Sequence, residues 1–236
     1  MGRTPRNLSL ITWNPETMTI AFDFENSTAA LNVSSVVVAG WTGRDLSAVQ
    51  FHIDELAALG ISPPSQVPLY YRISAALLTQ SDRIEVLGEG TSGEVEPLLI
   101  RADGKTYLGL ASDHTDRDLE AHSVAASKQA CAKPISRRVW DLEDIAEHLD
   151  DIRLRCWIEE DGQEVLYQDG TLAGIRPLAE LCDGAGFVDG TAMLCGTFPA
   201  IGGVRPATSY RMEATDPHRG SSLSLSYRVT TLPVVA

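Results

Sequence analysis

The pattern of hydrophobic and polar positions predicts a chain built mainly from short strands. Apolar or alternating runs of strand length recur along the chain, bounded by Gly, Pro, Asn or Asp. A hairpin is expected where Leu8–Trp13 and Thr17–Phe24 flank Asn14-Pro15. The other predicted strands are Ser34–Ala39, Leu69–Ile73, Arg83–Leu87, Val95–Ile100, Thr106–Ala111, Leu154–Glu159 and Glu164–Tyr167, with more from Thr191 onward.

Helical periodicity is confined to a few segments. The clearest helix begins at Asp45, keeps its apolar residues on one face through Leu59, and ends at Gly60. Further helices are expected over Asp141–Asp150 and over residues 172–182. Because strands dominate and do not alternate with helices as βαβ units, the predicted class is α+β, mostly β.

Composition and charge narrow the possible partners. The 236 residues carry 19 Lys and Arg against 32 Asp and Glu, a formal net charge of -13. Such acidity disfavours binding to nucleic acid or to an anionic membrane surface, since both need a basic patch. No apolar run approaches the roughly 20 residues of a membrane span, and no secretory signal is expected. The four cysteines form no C-x-x-C pair, so we expect free thiols and a cytoplasmic location.

The segment Gly88–Gly93 matches G-x-G-x-x-G but is not expected to bind a dinucleotide. Such a site needs a helix N-terminus directly after the glycines to receive the pyrophosphate. Here the strand-like run Val95–Ile100 follows instead.

The most informative stretch is a predicted hairpin around Asp103-Gly104, a strong two-residue turn signal. With that pair in the loop, Glu94 falls opposite Asp113, and Glu96 points to the same face. Cβ atoms of such neighbours lie roughly 4.5–8 Å apart. Three carboxylates this close repel one another unless protons or a cation intervene.

A hard divalent cation such as Mg²⁺, Mn²⁺ or Ca²⁺ is the usual neutraliser of an all-oxygen cluster. Glu94, Glu96 and Asp113 are therefore candidate metal ligands. The alternative is a solvated acidic strand end, which is common in an acidic chain. A bulge between the strands would also break the predicted pairing of these residues.

His52 and Glu55 form the second candidate group. Three residues apart on the predicted helix, they are neighbours on its surface. A carboxylate beside an imidazole raises the basicity of the ring, as a general base requires. The alternative is a histidine at the edge of the apolar face beside a solvated glutamate.

Three cationic residues complete the candidates. Lys128 could stabilise a developing oxyanion, and Arg72 and Arg117 could hold a substrate carboxylate through a bidentate fork. A lone lysine is by default a surface charge, and each of the two arginines is more often structural. Tyr71, next to Arg72, is expected to shape the pocket.

In their order along the chain, these segments resemble the fumarylacetoacetate hydrolase superfamily, in particular its DUF2848-type branch. Residues 51–56 (Phe-His-Ile-Asp-Glu-Leu) are similar to the family's His-x-x-Glu segment, and residues 94–96 to its Glu-x-Glu strand of two metal ligands. Residues 112–118 are similar to Asn-Asp-x-Ser-Ala-Arg-Asp, whose first Asp is the third ligand. Residues 127–129 fall where the family has its active-site lysine. Residues 189–199 resemble Pro-Gly-Asp … Thr-Gly-Thr-Pro, which implies that Gly196 and Thr197 border the substrate.

Departures from the family pattern surround the proposed ligands. Ser112 replaces the family's Asn, Thr115-Asp116 replaces Ser-Ala, and Ser127 replaces Gly. The link between Glu96 and Asp113 is shorter than usual in the family. The metal ligands are retained while the pocket is altered, so the substrate stays open.

The resemblance implies a mixed β-sandwich roll with few short helices. Residues 36–236 would form the catalytic domain and residues 1–35 an N-terminal β extension of it. A homodimer with one Mg²⁺ (or Mn²⁺ or Ca²⁺) per subunit is implied as well.

The expected activity is metal-dependent hydrolysis of a C–C bond in a small diketo or 2-oxo acid, by way of a metal-bound enolate. His52, Glu55 and Lys128 would be catalytic. The substrate would be bound by Tyr71, Arg72, Arg117, Gly196 and Thr197. Decarboxylation, isomerisation or dehydration of a 2-oxo acid on the same scaffold is the alternative, and a non-catalytic metal- and ligand-binding module is the second.

Overall fold

In the computed structural model, residues 17–58 and 63–235 are described and form a strand-dominated fold. Its strands are β1 (Met18–Asp23), β2 (Thr28–Val33), β3 (Ser35–Gly40), β4 (Leu69–Ile73), β5 (Leu78–Thr79), β6 (Arg83–Leu87), β7 (Thr91–Ser92), β8 (Val95–Ala102), β9 (Lys105–Ser112), β10 (Thr115–Asp116), β11 (Lys133–Pro134), β12 (Trp140–Asp141), β13 (Arg153–Glu160), β14 (Gln163–Thr171), β15 (Thr191–Leu194), β16 (Ser209–Asp216) and β17 (Ser221–Leu232). The helices are α1 (Leu46–Ala58), α2 (Arg117–Glu120), α3 (Val124–Ala130) and α4 (Leu178–Ala185), and 3₁₀ segments cover Ala75–Leu77, Glu143–Asp151 and Leu172–Gly174. The predicted class, α+β and mostly β, is confirmed.

Two large mixed sheets form the body of the fold. One has the order β12-β9-β8-β15-β3-β4 and the other β14-β13-β16-β17-β6. Most neighbours are antiparallel, but β15 pairs with β3 and β17 with β6 in parallel. Buried side chains from both sheets share one core, for example Leu99 and Leu110 with Met212 and Tyr227. The two sheets therefore pack face to face as a sandwich.

The six-stranded sheet is buried on both faces. Val37 lies in the core shared with the second sheet. Its neighbours Val36 and Val38 point the other way and pack with Phe22 and Leu31 of the β1–β2 hairpin. A strand covered on both faces needs no polar side, which explains why β3 reads as an uninterrupted apolar run.

The hairpin at the start of the described chain differs from the predicted one. β1 pairs with β2, from Met18 opposite Val33 to Asp23 opposite Thr28. The predicted partner, Leu8–Trp13, lies outside the described residues.

Two helix predictions were wrong in detail. The expected helix Asp141–Asp150 is a 3₁₀ segment whose backbone leaves the helical region at His148 (φ −135°, ψ 27°). The expected helix 172–182 is divided by Pro177, which lacks an N–H and restricts the residue before it. A 3₁₀ turn precedes this proline and α4 follows it. Within residues 17–58 and 63–235, no helix is both long and apolar enough to cross a bilayer.

The β8–β9 hairpin has the predicted register. Val95 lies opposite Ser112 and Ala102 opposite Lys105. Asp103 and Gly104 both have positive φ, 52° and 77°, as the tight hairpin turn requires. The hairpin occupies the middle of the six-stranded sheet, so its open end is enclosed by neighbouring elements.

Candidate active site

The open end of the β8–β9 hairpin carries the three predicted carboxylates. The amide of Asp113 donates to the carbonyl of Glu94 (3.0 Å), which continues the hairpin pairing beyond the strands. Glu96 is 3% exposed and Asp113 is 1% exposed. Glu94 is also mostly covered, with 15% of its side chain exposed. They are not a solvated strand end.

Asp113 is held by two ammonium groups. Lys128 Nζ donates to Oδ2, and Lys133 Nζ lies 2.9 Å from Oδ1. Burial raises the pKa of the Asp113 carboxyl, but the two lysines outweigh burial and hold this pKa well below its usual range. Asp113 is therefore ionised in the folded protein.

Glu96 has the opposite electrostatic environment. Burial and the charge of Asp113 raise its pKa well above the usual value, and Lys128 and one amide only partly offset them. That amide belongs to Gly196, whose N–H donates to Oε2 at 2.7 Å. The protein neighbours of Glu96 therefore do not by themselves stabilise a negative charge on this carboxyl group.

A glycine is required at position 196 to make this contact. Its φ is 99°, and a Cβ built there would overlap Thr42 Oγ1. The next residue, Thr197, donates its hydroxyl to the carbonyl of Val95 (2.7 Å) and accepts from Gln168 Nε2 (2.8 Å). The Gly-Thr pair therefore borders the acidic strand.

Arg117 pairs with the third carboxylate. Its Nη2 lies 3.0 Å from Glu94 Oε2, its Nη1 is 2.7 Å from Glu120, and its Nε donates to Ser92 (2.7 Å). Burial lowers the pKa of Arg117, but the two glutamates raise it above its usual value. Arg117 therefore lies at the site, but its guanidinium contacts these three side chains of the protein.

Lys128 lies among the carboxylates and not on the surface. It stands on α3, whose first turn is capped by Ser123. Burial lowers the pKa of Lys128, but Asp113 first, and then Glu94 and Glu96, raise it above the usual value, so this ammonium interacts with all three acidic groups. The centre of the Tyr71 ring lies 5.9 Å from Lys128 Nζ, so this ring borders the group of charged side chains.

Arg72 is not brought to this group by any described contact. It follows Tyr71 on β4, and consecutive residues of a strand point to opposite faces. Its guanidinium donates to the carbonyl of Ala185 at the end of α4 (2.7 Å) and to Ser35 Oγ (3.3 Å).

His52 and Glu55 are placed on α1. Their side chains lie outside the described part of the structure. Their pairing as a general base stays a prediction.

The sequence reasoning missed Lys133. The chain has only three lysines, at positions 105, 128 and 133, against sixteen arginines. Two lysines five residues apart in an arginine-rich chain are a signal, but the two-residue strand β11 that orients Lys133 has no hydrophobic pattern to predict it. The ammonium of Lys133 also donates to the carbonyl of His114.

His114, the residue after Asp113, lies in a network of uncharged hydrogen-bonding side chains. His114 is bonded through Nδ1 to Tyr227 Oη (2.9 Å) and through Nε2 to Thr91 Oγ1 (2.9 Å). Burial, together with the positive charge of Lys133, lowers the pKa of His114 to about 3. The uncharged imidazole thus ties the residue after Asp113 to β17 and β7 through these two hydrogen bonds.

The donor set fits a hard divalent cation in kind. It offers only carboxylate oxygens, and the raised pKa of Glu96 shows that a nearby cation would stabilise its ionised form. As placed, however, no three Asp, Glu, His or Cys side chains within the described ranges are grouped around an ion position. Both oxygens of Asp113 face ammonium groups instead.

The two-sheet arrangement of strands is shared with solved structures of the fumarylacetoacetate hydrolase fold. The chain belongs to the family described as "Protein of unknown function (DUF2848)", whose model matches residues 39–227. Among curated protein sequences, none matches the chain.

Solved structures with the same fold include enzymes of three reaction types. A fumarylpyruvate hydrolase from Pseudomonas aeruginosa in complex with Mn²⁺ and pyruvate is 14% identical, with a TM-score of 0.60 over 91% of this chain and 97% of that one. A 2-keto-3-deoxy-D-arabinonate dehydratase with magnesium and 2,5-dioxopentanoate is 16% identical (TM-score 0.59; 89% and 78% covered). A 5-carboxymethyl-2-hydroxymuconate delta-isomerase from Mycobacterium smegmatis is 13% identical (TM-score 0.57; 86% and 81% covered).

Proposed function

We propose that the protein is a divalent-cation-dependent enzyme that hydrolyses a C–C bond in a small diketo or 2-oxo acid. The observation that carries the proposal is the convergence of three carboxylates and Lys128 at the enclosed end of the β8–β9 hairpin. Two proteins of the same fold support this reaction class, since one structure is a complex with Mn²⁺ and pyruvate and the other a complex with magnesium and 2,5-dioxopentanoate.

Glu94, Glu96 and Asp113 would hold one ion per subunit, Mg²⁺ or Mn²⁺, with Ca²⁺ as a further candidate. When bound, the ion supplies a Lewis acid for adjacent oxygens of an oxo acid. The raised pKa of Glu96 supports a cation here, because a bound ion would stabilise its carboxylate against burial and the charge of Asp113.

The chain's own residues bind, orient and move protons. Lys128 would donate a hydrogen bond to the oxyanion that develops when water adds to the substrate carbonyl. His52, oriented by Glu55, would take the proton from that water. The proposed substrate-binding surface comprises Tyr71, Arg72, Arg117, Gly196 and Thr197.

Metal removal and restoration test this proposal. Turnover of acylpyruvate-type compounds should cease after EDTA treatment and return with Mg²⁺ or Mn²⁺, and Glu94→Ala should be inactive with either ion. Activity that survives EDTA, or a Glu94→Ala enzyme as active as the parent, would contradict it.

A second candidate is decarboxylation, isomerisation or dehydration of a 2-oxo acid at the same site. It is favoured by the dehydratase and the isomerase that share the fold. Reaction in ¹⁸O-labelled water separates the candidates, because only hydrolysis incorporates the label into a product carboxylate. If Mn²⁺ binds but nothing in a broad oxo-acid panel reacts, the protein is a non-catalytic binding module.

The proposal includes a homodimer in the cytoplasm. All four cysteines are free thiols, and three of them are buried. Burial raises the pKa of Cys131 to about 11, so this thiol near the site is unsuited to act as a nucleophile. The thiol state supports a reducing compartment.

A further inference from the structure

Lys133 is an unusual residue to find beside a cation site. Its side chain is 0% exposed, and its ammonium contacts both Asp113 Oδ1 and the carbonyl of His114. With two partners and no exposure, this ammonium has no route to solvent. Lys128, the other lysine on Asp113, retains some exposure and lies near the ring of Tyr71.

Cations of the protein already lie against two of the three proposed ligands. Lys128 and Lys133 contact Asp113, and Arg117 contacts Glu94 and Glu120. Burying an unpaired charge is costly, so these ion pairs stabilise the folded site. A divalent ion at Asp113 would meet the positive charge of both lysines.

We propose that Lys133 is a built-in competitor for the cation. Its buried ammonium group binds Oδ1 of Asp113 and thereby weakens the binding of a divalent ion by the three carboxylates. This inference rests on the proposed function and deepens it by assigning Lys133 control over metal affinity.

The two ammonium groups on Asp113 also link the metal to the substrate. A divalent ion beside them adds to their positive charge, and a chelating dianion such as oxalate would offset part of it. Oxalate should therefore strengthen Mn²⁺ binding to the parent protein, and it should do so less when the Lys133 charge is absent.

Titration with Mn²⁺, followed by calorimetry and by the electron paramagnetic resonance signal of free Mn²⁺, tests the inference. The proteins compared are the metal-free parent, Lys133→Gln and Lys133→Met. Lys105→Gln is the matched control, because Lys105 is exposed and pairs with Asp141 away from the site. Both Lys133 variants should bind Mn²⁺ more tightly than the parent, on the order of tenfold to a hundredfold. Lys105→Gln should bind as the parent does.

Two substitutions are used because glutamine and methionine perturb a buried position differently, and thermal melting establishes which variants are folded. If the parent binds Mn²⁺ and the folded variants bind it no more tightly, the inference is overturned while the proposed metal site stands. If neither parent nor variants bind Mn²⁺, both are overturned. Glu96→Gln combined with Lys133→Gln should abolish binding, which ties the measured ion to this site.

Discussion

Two carboxyl groups at the same buried hairpin end have opposite titration behaviour. Asp113 is ionised because Lys128 and Lys133 each contact one of its oxygens, whereas Glu96 has a single amide donor and a repelling neighbour. Burial acts in the same direction on both. The difference is therefore set by which side chains α3 and β11 place against the hairpin.

Replacing Lys128 by methionine should lower kcat by roughly 10²–10³, the usual loss on removing one oxyanion donor. The fold should survive because Asp113 keeps Lys133 as its partner. The comparison is Lys105→Met, which should leave turnover unchanged. Equal kcat values for the two variants in the acylpyruvate assay would remove Lys128 from the mechanism.

At the scale of elements, the site is formed by the β8–β9 hairpin, α3, β11 and the turn after β15. That turn supplies the amide of Gly196 to Glu96 and the hydroxyl of Thr197 to the β8 backbone. Because each element contributes one or two groups, a local change in the turn should disturb the acidic strand directly.

Gly196→Ala should destabilise the fold by at least about 2 kcal/mol more than Gly104→Ala, since both have positive φ but only position 196 lacks space for a Cβ. Urea unfolding of the two variants measures the difference. Equal losses would mean that the close approach of Gly196 to Thr42 is not required.

The turn between β16 and β17 should make stability depend on pH. Asp216 accepts from the amides of His218 (2.9 Å) and Arg219 (3.1 Å) and lies 3.0 Å from His148 Nε2. Burial raises the pKa of Asp216, but these donors outweigh burial and lower it below 3.8. A lowered pKa stabilises the folded state above the unfolded value, and this stabilisation is lost as the pH falls through the folded pKa.

Asp216→Asn should therefore cost about 1–2 kcal/mol at pH 7, and the difference from the parent should shrink below about pH 4. Urea unfolding at pH 7 and pH 3 is the measurement. Asp161→Asn, in the exposed β13–β14 turn, should show little effect at either pH. A gap for Asp216→Asn that is the same at both pH values would refute this explanation.

The elements that could be predicted from the sequence are those with a strong local signal. Asp103-Gly104 determines the β8–β9 register, and that register alone brings Glu94 opposite Asp113. Contacts set by tertiary structure could not be predicted in this way. The direction of the Arg72 side chain depends on which face of β4 is covered by α4. The position of Lys133 depends on the two-residue pairing of β11 with β5.

At the scale of the whole molecule, the hairpin lies inside a sheet that is buried on both faces. The fold and the family assignment of the chain are established by this architecture and by the family match. Assembly is a prediction: sedimentation equilibrium should give the mass of two 25.5 kDa chains. The mass of a single chain at micromolar concentration would contradict the homodimer.

The most direct test of the central claim is the anomalous diffraction of crystals soaked with Mn²⁺ and oxalate. The account predicts one strong peak per chain, at direct coordination distance from carboxylate oxygens of Glu94, Glu96 and Asp113, with oxalate on its open side. A peak elsewhere, or no peak at these carboxylates at saturating Mn²⁺, would contradict the proposed metal centre and the chemistry built on it.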